Sequence, residues 1–479
     1  MLTLRPYQRN QMLIPCMDAF RSGAHGVLLV APCGSGKTVV FCVLAEAVRN
    51  KGKNILILVH RQELLDQASR KLTESGVEHG LIAPGKTKTL DHVQVASVQT
   101  LVRRLGSIPV PDLIICDEAH HLLSENTWGK VSQYYNKSLI LGVTATPIRH
   151  DGKPLGRSGG GFFDVMIQGP QPKELIDQGF LSPSVVYAPP SLVDMSGIHS
   201  RFNDYAQNEL SDRVDRPIIT GDAIKHYRRI CPGVPAIVFC VSVKHAENVA
   251  AEFNAAGIPA ASIDGKLDDR LRKYRIDGLG NGRIKIITAC SIISEGTDIP
   301  VVTAAIFLRP TKSLGLYIQQ AGRALRPFIG KPCSYLLDHV GNVHQHGMID
   351  EIREWSLDGE NNGKLKNKQE TADAYRQCMK CYAVYPAYRN SCPQCGAVHQ
   401  PKIREIEQVD GELVKIDPYR DAMETHLNDL RQEQERRQKQ IEVHRARSLE
   451  DLLNIARNRG YKLAWAYRIW GMRQTGGKA

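Results

Sequence analysis

The sequence lacks any long apolar run and any recognisable targeting segment. Its longest apolar runs, such as residues 27–30 and 55–59, are strand-sized, whereas a membrane-spanning helix needs about 18 to 20 apolar residues. The first seven residues contain neither a basic leader nor an apolar stretch, so no signal peptide is visible. We therefore expect a protein without membrane spans, located in the cytoplasm.

The composition is that of an ordinary globular protein. Hydrophobic residues make up 42% and charged residues 23% of the 479 residues, which excludes wholesale disorder. At about 150 residues per domain, this length indicates about three domains. The net charge of +12 is uneven, because residues 436–479 carry 11 Lys and Arg against 3 Asp and Glu, a local +8. A tail this basic favours a nucleic-acid partner, with a solvated helix as the alternative.

Two sets of short apolar runs alternate with segments of helical spacing. The first set comprises residues 27–30, 55–59, 93–96, 113–116 and 139–143. The second set follows a turn-rich stretch at 151–190 and comprises residues 236–240, 260–263, 284–288, 304–308 and 334–337. Such runs are typical of parallel strands that helices cover on both faces, so the pattern predicts two doubly wound α/β domains.

The same pattern predicts where the domains begin and end. We place the first α/β domain at residues 1–183 and the second at 184–350. A linker is predicted at 351–373, because its middle is rich in Gly, Asn and Lys. A small cysteine-rich module at 374–400 and a basic, largely helical tail at 401–479 complete the chain.

A phosphate-binding loop is predicted between the first strand and the following helix, in the segment Ala31-Pro32-Cys33-Gly34-Ser35-Gly36-Lys37-Thr38. Glycines let backbone N–H groups turn inward onto phosphates, and the helix N-terminus adds a positive field. Lys37 would reach the β- and γ-phosphates of ATP, and the Thr38 hydroxyl would ligate Mg²⁺. Ala31 stands where such loops usually have glycine, and a chance Gly-rich turn is the alternative.

Two acidic residues follow the apolar run at 113–116, in the segment Asp117-Glu118-Ala119-His120-His121. Ligands of open α/β sheets bind at the carboxyl ends of strands, where this segment lies. Asp117 would hold Mg²⁺, and Glu118 would polarise the attacking water. An exposed acidic turn is the alternative. For the two histidines we favour a coupling or core role over a metal site.

Four of the twelve cysteines form one cluster. Cys378 and Cys381 are followed after ten residues by Cys392 and Cys395, while the other eight are scattered through mostly apolar segments. Two Cys-x-x-Cys knuckles can aim four thiolates at one point, which predicts a closed, structural Zn²⁺ site. Iron–sulfur ligation and free thiols are the alternatives. Nucleic-acid contact and protein docking both remain open as the role of this module.

Aromatic and basic residues are mixed in the last segment of the tail. Residues 457–470 include two of the four tryptophans of the chain, together with several Arg and Lys. Bases can stack on aromatic rings while cations follow phosphates, which would suit single-stranded nucleic acid. Leu463, Tyr467 and Trp470 also lie at helical spacing, so a buried docking face is an equal alternative.

Beyond the phosphate loop and the acidic pair, the chain resembles the superfamily 2 helicases, particularly DEAH-containing DNA helicases related to restriction-enzyme motor subunits and phage helicases. The resemblance covers about residues 1–340 and rests on motifs that occur in the family's order. They are Leu4-Arg5-Pro6-Tyr7-Gln8, the phosphate loop, Val59-His60-Arg61-Gln62-Glu63-Leu64, Ser97-Val98-Gln99-Thr100, the DEAH box at Asp117–His120, Thr144-Ala145-Thr146-Pro147, Val238-Phe239-Cys240, Ser294-Glu295-Gly296-Thr297-Asp298 and Gln319-Gln320-Ala321-Gly322-Arg323-Ala324-Leu325-Arg326.

The resemblance implies two tandem RecA-like domains that close on one ATP molecule. It implies that Gln8 reads the adenine edge and that Gly296 and Asp298 lie at the nucleotide. By the same analogy, Gln319, Arg323 and Arg326 would face the nucleotide from the second domain, and an arginine finger would complete the site when the cleft closes. A surface salt-bridge pair is the alternative for the two arginines.

The expected activity is ATP hydrolysis coupled to movement along nucleic acid, with DNA unwinding favoured. The expected cofactors are ATP, Mg²⁺ and Zn²⁺, and the expected partner is DNA, single-stranded or forked. A duplex translocase or branch remodeller, an RNA helicase and an ATPase switch without a motor stroke are the alternatives. A protein partner of the cysteine module or tail also stays open. No nuclease or methyltransferase motif is recognised, so we expect no complete restriction activity in this chain.

Overall fold

The computed structural model describes residues 3–87, 89–149, 152–189, 200–201, 204–205, 217–290, 299, 301–359, 364–365, 375–378, 380–398, 443, 446, 448–459 and 463–474. The chain divides into two compact units, residues 1–400 and 401–479. Among the described residues, no helix combines the length and apolar character that crossing a bilayer requires.

The first lobe of the larger unit is a parallel sheet with helices on both faces. After a π-helical turn at Gln8–Leu13, its elements are α1 (Ile14–Arg21), β1 (Gly26–Val30), α2 (Lys37–Arg49), β2 (Ile55–Val59), α3 (Gln62–Glu74), β3 (Gly80–Ile82), β4 (Val93–Ser97), α4 (Val98–Leu101), β5 (Leu113–Asp117), α5 (Thr127–Tyr134), β6 (Leu139–Thr144) and β7 (Val165–Gln168). The strand order is β3-β4-β2-β5-β6-β1-β7, and every pairing is parallel.

The central strands of this sheet are buried on both faces, as their unbroken apolar sequences predict. β1, β2 and β5 have no exposed residue, and two separate apolar cores lie on the two sides of the sheet. β1 and β5 lie on either side of β6, so only one strand separates their carboxyl ends. The phosphate loop after β1 and the acidic pair after β5 are therefore brought to one edge of the sheet.

The segment at residues 169–183, here called the hinge, contains α6 (Pro172–Asp177) and connects the first lobe to the second. Its elements are β8 (Ser184–Tyr187), β9 (Ser200–Arg201), β10 (Asp204–Tyr205), α7 (Pro217–Ile230), β11 (Ala236–Phe239), α8 (Val243–Ala255), β12 (Ala260–Ile263), α9 (Asp269–Gly280), β13 (Ile286–Ala289), β14 (Ala304–Phe307), α10 (Leu314–Ala324), β15 (Ser334–Asp338) and α11 (Asn342–His346). β9 pairs antiparallel with β10 in a separate ribbon. The expectation of two tandem RecA-like α/β domains is confirmed.

The second sheet extends into the cysteine-rich segment. Its order is β12-β13-β11-β14-β15-β8-β19-β18, where β18 (Tyr375–Gln377) and β19 (Ala383–Pro386) form an antiparallel hairpin after the short ribbon of β16 (Arg353–Glu354) and β17 (Lys364–Leu365). β19 pairs antiparallel with β8, while the strands from β12 to β8 are parallel. The cysteine hairpin thus forms an added edge of the second sheet.

The turn-rich stretch at 151–190 also contains regular structure that the sequence pattern does not predict. β7 and β8 both lie within it, one in each sheet. Neither strand is uniformly buried, since all four residues of β7 and three of the four residues of β8 are half-buried or exposed. Their sequences therefore lack the continuous apolar run that marks β1, β2 and β5.

The smaller unit contains a helical hairpin of α12 (Leu449–Asn458) and α13 (Leu463–Gln474). α12 begins at a capping box, in which the Ser448 hydroxyl accepts from the Asp451 N–H and the Asp451 carboxylate accepts from the Ser448 N–H. The side chains of Trp465 and Trp470 pack against the small apolar core of this unit, whereas Tyr467 is 57% exposed. Residues 401–442 of the predicted basic, largely helical tail lie outside the described residues.

Candidate active site and cysteine cluster

The phosphate loop connects β1 to α2 in a left-handed turn. Gly34 and Gly36 have φ values of 84° and 82°, which glycine adopts without steric cost. Gly36 is the N-cap of α2, so the following amides point out of the helix N-terminus. The loop geometry fits a bound phosphate chain.

Lys37 is the first residue of α2 and bends back over the loop. Its Nζ atom donates to the carbonyl oxygens of Ala31 at 2.9 Å and Pro32 at 3.1 Å. Both oxygens are weaker partners for an ammonium group than phosphate oxygens, so a triphosphate would attract it away from them. Thr38 follows in the first turn of α2 and is half-buried.

The opening motif packs directly on the phosphate loop. The Gln8 side chain donates from Nε2 to the Ser35 carbonyl at 2.9 Å and accepts the Arg5 N–H at Oε1, also at 2.9 Å. The Tyr7 hydroxyl donates to the same Ser35 carbonyl. A Cβ atom at Gly36 would lie 2.3 Å from Gln8 Nε2, so only glycine permits this approach. The adenine-reading role of Gln8 stays a prediction.

Phe180 is a neighbour of this motif that the sequence reasoning missed. Its ring centroid lies 4.9 Å from that of Tyr7, and the Arg5 guanidinium lies 4.5 Å above the Phe180 ring. Phe180 belongs to the hinge, more than 170 residues along the chain. No local pattern in the sequence could indicate this contact.

The acidic pair lies at the end of β5, facing the same edge as the phosphate loop. Asp117 is 7% exposed and accepts the Glu118 N–H at 3.1 Å. Glu118 has a φ of 53°, a left-handed conformation that costs a non-glycine residue roughly 1–3 kcal/mol and is typical of functional sites. Its Oε2 lies 3.5 Å from His120 Nδ1.

The histidine after this pair connects it to the motif at the end of β6. His120 is 3% exposed, and its Nδ1 lies 3.1 Å from the Thr144 hydroxyl. That hydroxyl donates to the Thr146 carbonyl and accepts the Thr146 N–H. The His121 ring lies between those of His120 and His60, tilted against the first and edge-on to the second, with ring centroids 4.2 and 4.8 Å away. These contacts agree with the coupling or core role expected for the two histidines.

α10 of the second lobe lies against the phosphate loop and the Thr144 motif of the first. A Cβ atom at Gly322 would lie 3.2 Å from Cys33 Sγ and closer still to Cys33 Cβ, and one at Gly315 would lie 3.3 Å from Thr146 Oγ1. On the loop side, a Cβ at Gly34 would lie 3.6 Å from Arg326 Cγ. The two lobes therefore meet around the predicted triphosphate site.

The polar residues that the resemblance places at the nucleotide are mostly buried in this interface. Gln319 is 4% and Arg323 is 7% exposed. Burial lowers the pKa of the Arg326 guanidinium, and the nearby Cys33 thiol opposes this shift. An anion beside this buried cation would offset its desolvation. Gly296 and Asp298 lie outside the described residues.

The four clustered cysteines converge on one point at the end of the β18–β19 hairpin. The Sγ atoms of Cys378 and Cys395 are 3.6 Å apart, as are those of Cys381 and Cys392, and all four lie within 4.8 Å of one another. Tetrahedral ligation of Zn²⁺ with bonds of about 2.3 Å implies sulfur–sulfur separations near 3.8 Å. The two sulfur–sulfur distances of 3.6 Å are close to this value and too long for disulfide bonds. The donor set fits a closed Zn²⁺ site.

The surroundings of these thiols shift their pKa values. Burial alone would raise the pKa of Cys378, but the N–H groups of Cys381 and Lys380 that point at its sulfur lower that pKa to about 6. Burial raises the pKa of Cys381 to about 12. A divalent cation would favour the thiolate form of all four sulfurs.

Two parallel-sheet lobes that enclose a phosphate loop, an acidic pair and buried arginines define the class of two-lobed P-loop nucleoside triphosphatases. The family model for the res subunit of type III restriction enzymes matches residues 1–149, and the model for the helicase conserved C-terminal domain matches residues 222–327. The chain belongs to the superfamily 2 helicases, among the ATP-dependent nucleic-acid motors related to restriction-enzyme motor subunits and phage helicases.

Individual proteins are similar to this chain over most of its length. The chain is 34% identical over 400 residues to a 51.5 kDa protein of a Lactococcus phage, covering 81% of this chain and 83% of the phage protein. A fragment assigned to the HsdR subunit of a type I restriction enzyme from Vibrio vulnificus has a similar fold, with a TM-score of 0.57 and 20% identity over 76% of this chain and 68% of the fragment.

A second solved structure shares the fold over a smaller part of its length. The type ISP restriction-modification enzyme LlaBIII, solved bound to DNA, aligns with a TM-score of 0.50 and 18% identity over 70% of this chain. The chain spans only 28% of that enzyme.

Proposed function

We propose that this protein is a DNA helicase, in which ATP hydrolysis drives the two lobes along one strand and separates it from its complement. The observation that carries the proposal is the position of α10. This helix places Gly322 of one lobe against Cys33 in the phosphate loop of the other, and Arg326, just after the helix, lies beside Gly34 of that loop. Arg323 and Arg326 would therefore reach the triphosphate only while the lobes are together. Hydrolysis would therefore be tied to closing and opening of the cleft.

The residues at the sheet edge suit phosphoryl transfer to water. Lys37 would move from its carbonyl partners to the terminal phosphates, and Thr38 and Asp117 would hold Mg²⁺, which offsets charge on the phosphates. Glu118 would orient the attacking water, with His120 fixing the direction of its carboxylate. Arg323 and Arg326 would stabilise charge that develops on the terminal phosphate, and Gln319 would lie beside them.

DNA is proposed as the polynucleotide because the related motors belong to restriction enzymes. The family model of the first lobe describes a type III restriction enzyme, and the LlaBIII enzyme of similar fold was solved with DNA. A single-stranded or forked form suits a motor that separates strands. A duplex translocase remains the second candidate, since restriction motors share this arrangement of two lobes.

A strand-displacement assay tests the proposal. A fork with one labelled strand should be separated with ATP, and Lys37→Ala or Glu118→Gln should abolish separation. Displacement of a third strand from a triplex, without separation of the fork, would identify a duplex translocase instead. Separation of an RNA fork in preference to a DNA fork would identify an RNA helicase.

We also propose that the cysteine cluster holds one Zn²⁺ ion. The ion would fix the two knuckles, in which the Tyr382 N–H donates to the Cys378 carbonyl and the Gly396 N–H donates to the Cys392 carbonyl. Zinc content measured by mass spectrometry should be one per chain. Cys392→Ser should reduce it, while Cys231→Ser, a buried cysteine outside the cluster, should not. Iron in place of zinc would contradict the assignment.

The surface of the cysteine hairpin is proposed as a second contact with the strand. Residues 375–398 contain three cations and no acidic residue. Tyr388 is 73% and Tyr382 is 42% exposed, although Tyr385, which the sequence places beside them, is 2% exposed and belongs to the core. Exposed rings and cations without acids suit stacking on bases and pairing with phosphates.

Charge reversal tests this contact. Lys380→Glu with Arg389→Glu should weaken binding of single-stranded DNA and reduce the slope of log affinity against log salt by about one to two, since each phosphate contact contributes about 0.7. Lys51→Glu, which reverses an exposed charge in the first lobe, is the control. An unchanged affinity and slope would favour protein docking by the hairpin.

A further inference from the structure

After the second lobe, the chain returns to the first. Residues 353–359, here called the strap, run along the outside of the first lobe. The Leu357 carbonyl accepts the Gly156 N–H at 3.1 Å, and the Asp358 carboxylate accepts the Ser158 hydroxyl at 2.8 Å. The Trp355 and Leu357 side chains pack against a core of the first lobe. The middle and end of the strap are therefore held by the first lobe.

The start of the strap is held by the second lobe. The Arg353 side chain is 4% exposed and donates to the carbonyls of His346 at 2.8 Å and Met348 at 3.0 Å. His346 ends α11 and stacks on Tyr317 of α10, with ring centroids 5.3 Å apart. The Arg353 carbonyl accepts Gln168 Nε2 at 3.3 Å, at the end of β7 in the first lobe. Arg353 thus contacts the second lobe with its side chain and the first with its backbone.

Glu351, two residues before the strap, is tied to the cysteine hairpin. The Glu351 carboxylate accepts the Tyr375 hydroxyl at 2.6 Å and the Met348 N–H at 3.0 Å. Tyr375 is the first residue of β18, which belongs to the second sheet. The strap therefore leaves the second lobe, crosses to the first and is followed by a hairpin anchored on the second.

The strap also lies close to both halves of the candidate active site. A cavity of about 40 Å³ separates it from them. The cavity is lined by Ala31 and Pro32 of the phosphate loop, by Ile318 of α10 and by Arg353 and Trp355. Its remaining wall includes the hinge residues that follow β7.

We propose that the strap is a positioning element for ATP hydrolysis, which holds the second lobe in register so that its arginines meet the phosphate loop. This inference rests on the proposed ATPase activity. A single hinge at 169–183 would let the lobes rotate about several axes. Two neighbouring connections restrict the rotation mainly to one axis, which passes through both connections. Rotation about this axis opens and closes the cleft without sideways displacement of α10. A displacement of about 1 Å at a reacting group can reduce a rate about a hundredfold.

The test displaces the strap from the first lobe without altering the nucleotide site. A Cβ atom at Gly156 would lie 3.2 Å from Leu357 Cβ and 3.3 Å from its carbonyl oxygen, and the Gly156 φ of −71° suits any residue. Gly156→Leu should therefore push the strap outward without backbone strain. Gly280→Leu is the matched control, because nothing lies within 4 Å of a Cβ atom there.

We expect Gly156→Leu to lower kcat for ATP hydrolysis about ten- to hundredfold, while the Kd of a fluorescent ATP analogue changes less than about twofold. Hydrogen exchange, followed by mass spectrometry, should become faster in peptides covering the strap and stay unchanged in β1, β5 and β6. A merely structural role would not separate kcat from ATP affinity. Gly280→Leu should match the unsubstituted protein in every measurement.

Faster exchange in the strap with an unchanged kcat would overturn the proposal, and so would unchanged exchange, since the strap would then not be packed as described. If Gly156→Leu melts the first lobe, Leu357→Ala with Ser158→Ala removes the same anchor by truncation and carries the same expectations. Absence of ATP hydrolysis in the unsubstituted protein with every nucleic acid would instead refute the proposed function.

Discussion

Removal of the Arg326 guanidinium is the substitution for which the structure allows the effect on hydrolysis to be calculated. Arg326 Cγ lies 3.6 Å from the Cβ position of Gly34 in the phosphate loop. For a guanidinium paired with a phosphate oxygen, we take a separation of about 4 Å between the two charges. At an effective dielectric constant of about 20, one unit of charge at that distance contributes about 4 kcal/mol. If that charge develops in the transition state, Arg326→Ala should lower kcat about a thousandfold.

The assay is ATP hydrolysis under saturating nucleic acid, beside binding of a fluorescent ATP analogue. Because Lys37 and the loop amides supply most ground-state contacts, we expect the Kd for ATP to change little. Arg326→Lys should recover only part of the rate, since an ammonium group cannot pair with two oxygens at once. Arg283→Ala, which removes an exposed arginine of the same lobe, is the control. A normal kcat in Arg326→Ala would refute the arginine-finger assignment.

Further predictions concern the adenine contact, a buried lysine and the core. Gln8→Ala should raise KM for ATP and reduce discrimination between ATP and GTP, measured by steady-state hydrolysis. Burial lowers the pKa of Lys331 from 10.5 to about 8, so between these pH values the unfolded chain binds more protons than the folded protein. The unfolding free energy should therefore rise with pH in this range, by up to about 3 kcal/mol relative to Lys331→Met. Denaturant titration at each pH measures this difference. Gly142→Val places Cβ 2.4 Å from Phe163 Cζ and should lower the melting temperature by several degrees, at a cost of about 1–3 kcal/mol; an unchanged melting temperature would contradict this packing.

The parallel strands marked by apolar runs could be predicted from the sequence to within one or two residues. The apolar runs at 55–59 and 260–263 coincide with β2 and β12, because polar residues end both the run and the strand. The run at 284–288 begins two residues before β13. There the Ile284 N–H donates to the Gly278 carbonyl, so this residue still belongs to the turn after α9.

The residues of the candidate site could be predicted from the sequence, but the contacts between distant segments could not. The phosphate loop, the acidic pair and the cysteine knuckles are local motifs, and each is legible within a few residues. The contacts of Phe180 with Tyr7, and of the strap with Gly156, join segments far apart in the sequence and leave no periodic signal. The edge position of the cysteine hairpin depends on β8, which itself lacks a continuous apolar run.

Coupling of ATP hydrolysis to a polynucleotide is the defining property of the proposed motor. The most direct test is the rate of ATP hydrolysis measured with single-stranded DNA, duplex DNA, RNA and no nucleic acid. We expect single-stranded DNA to raise the rate in a saturable manner and Lys37→Ala to abolish it. Hydrolysis at the same rate with and without every nucleic acid would contradict the motor and favour a nucleotide-dependent switch.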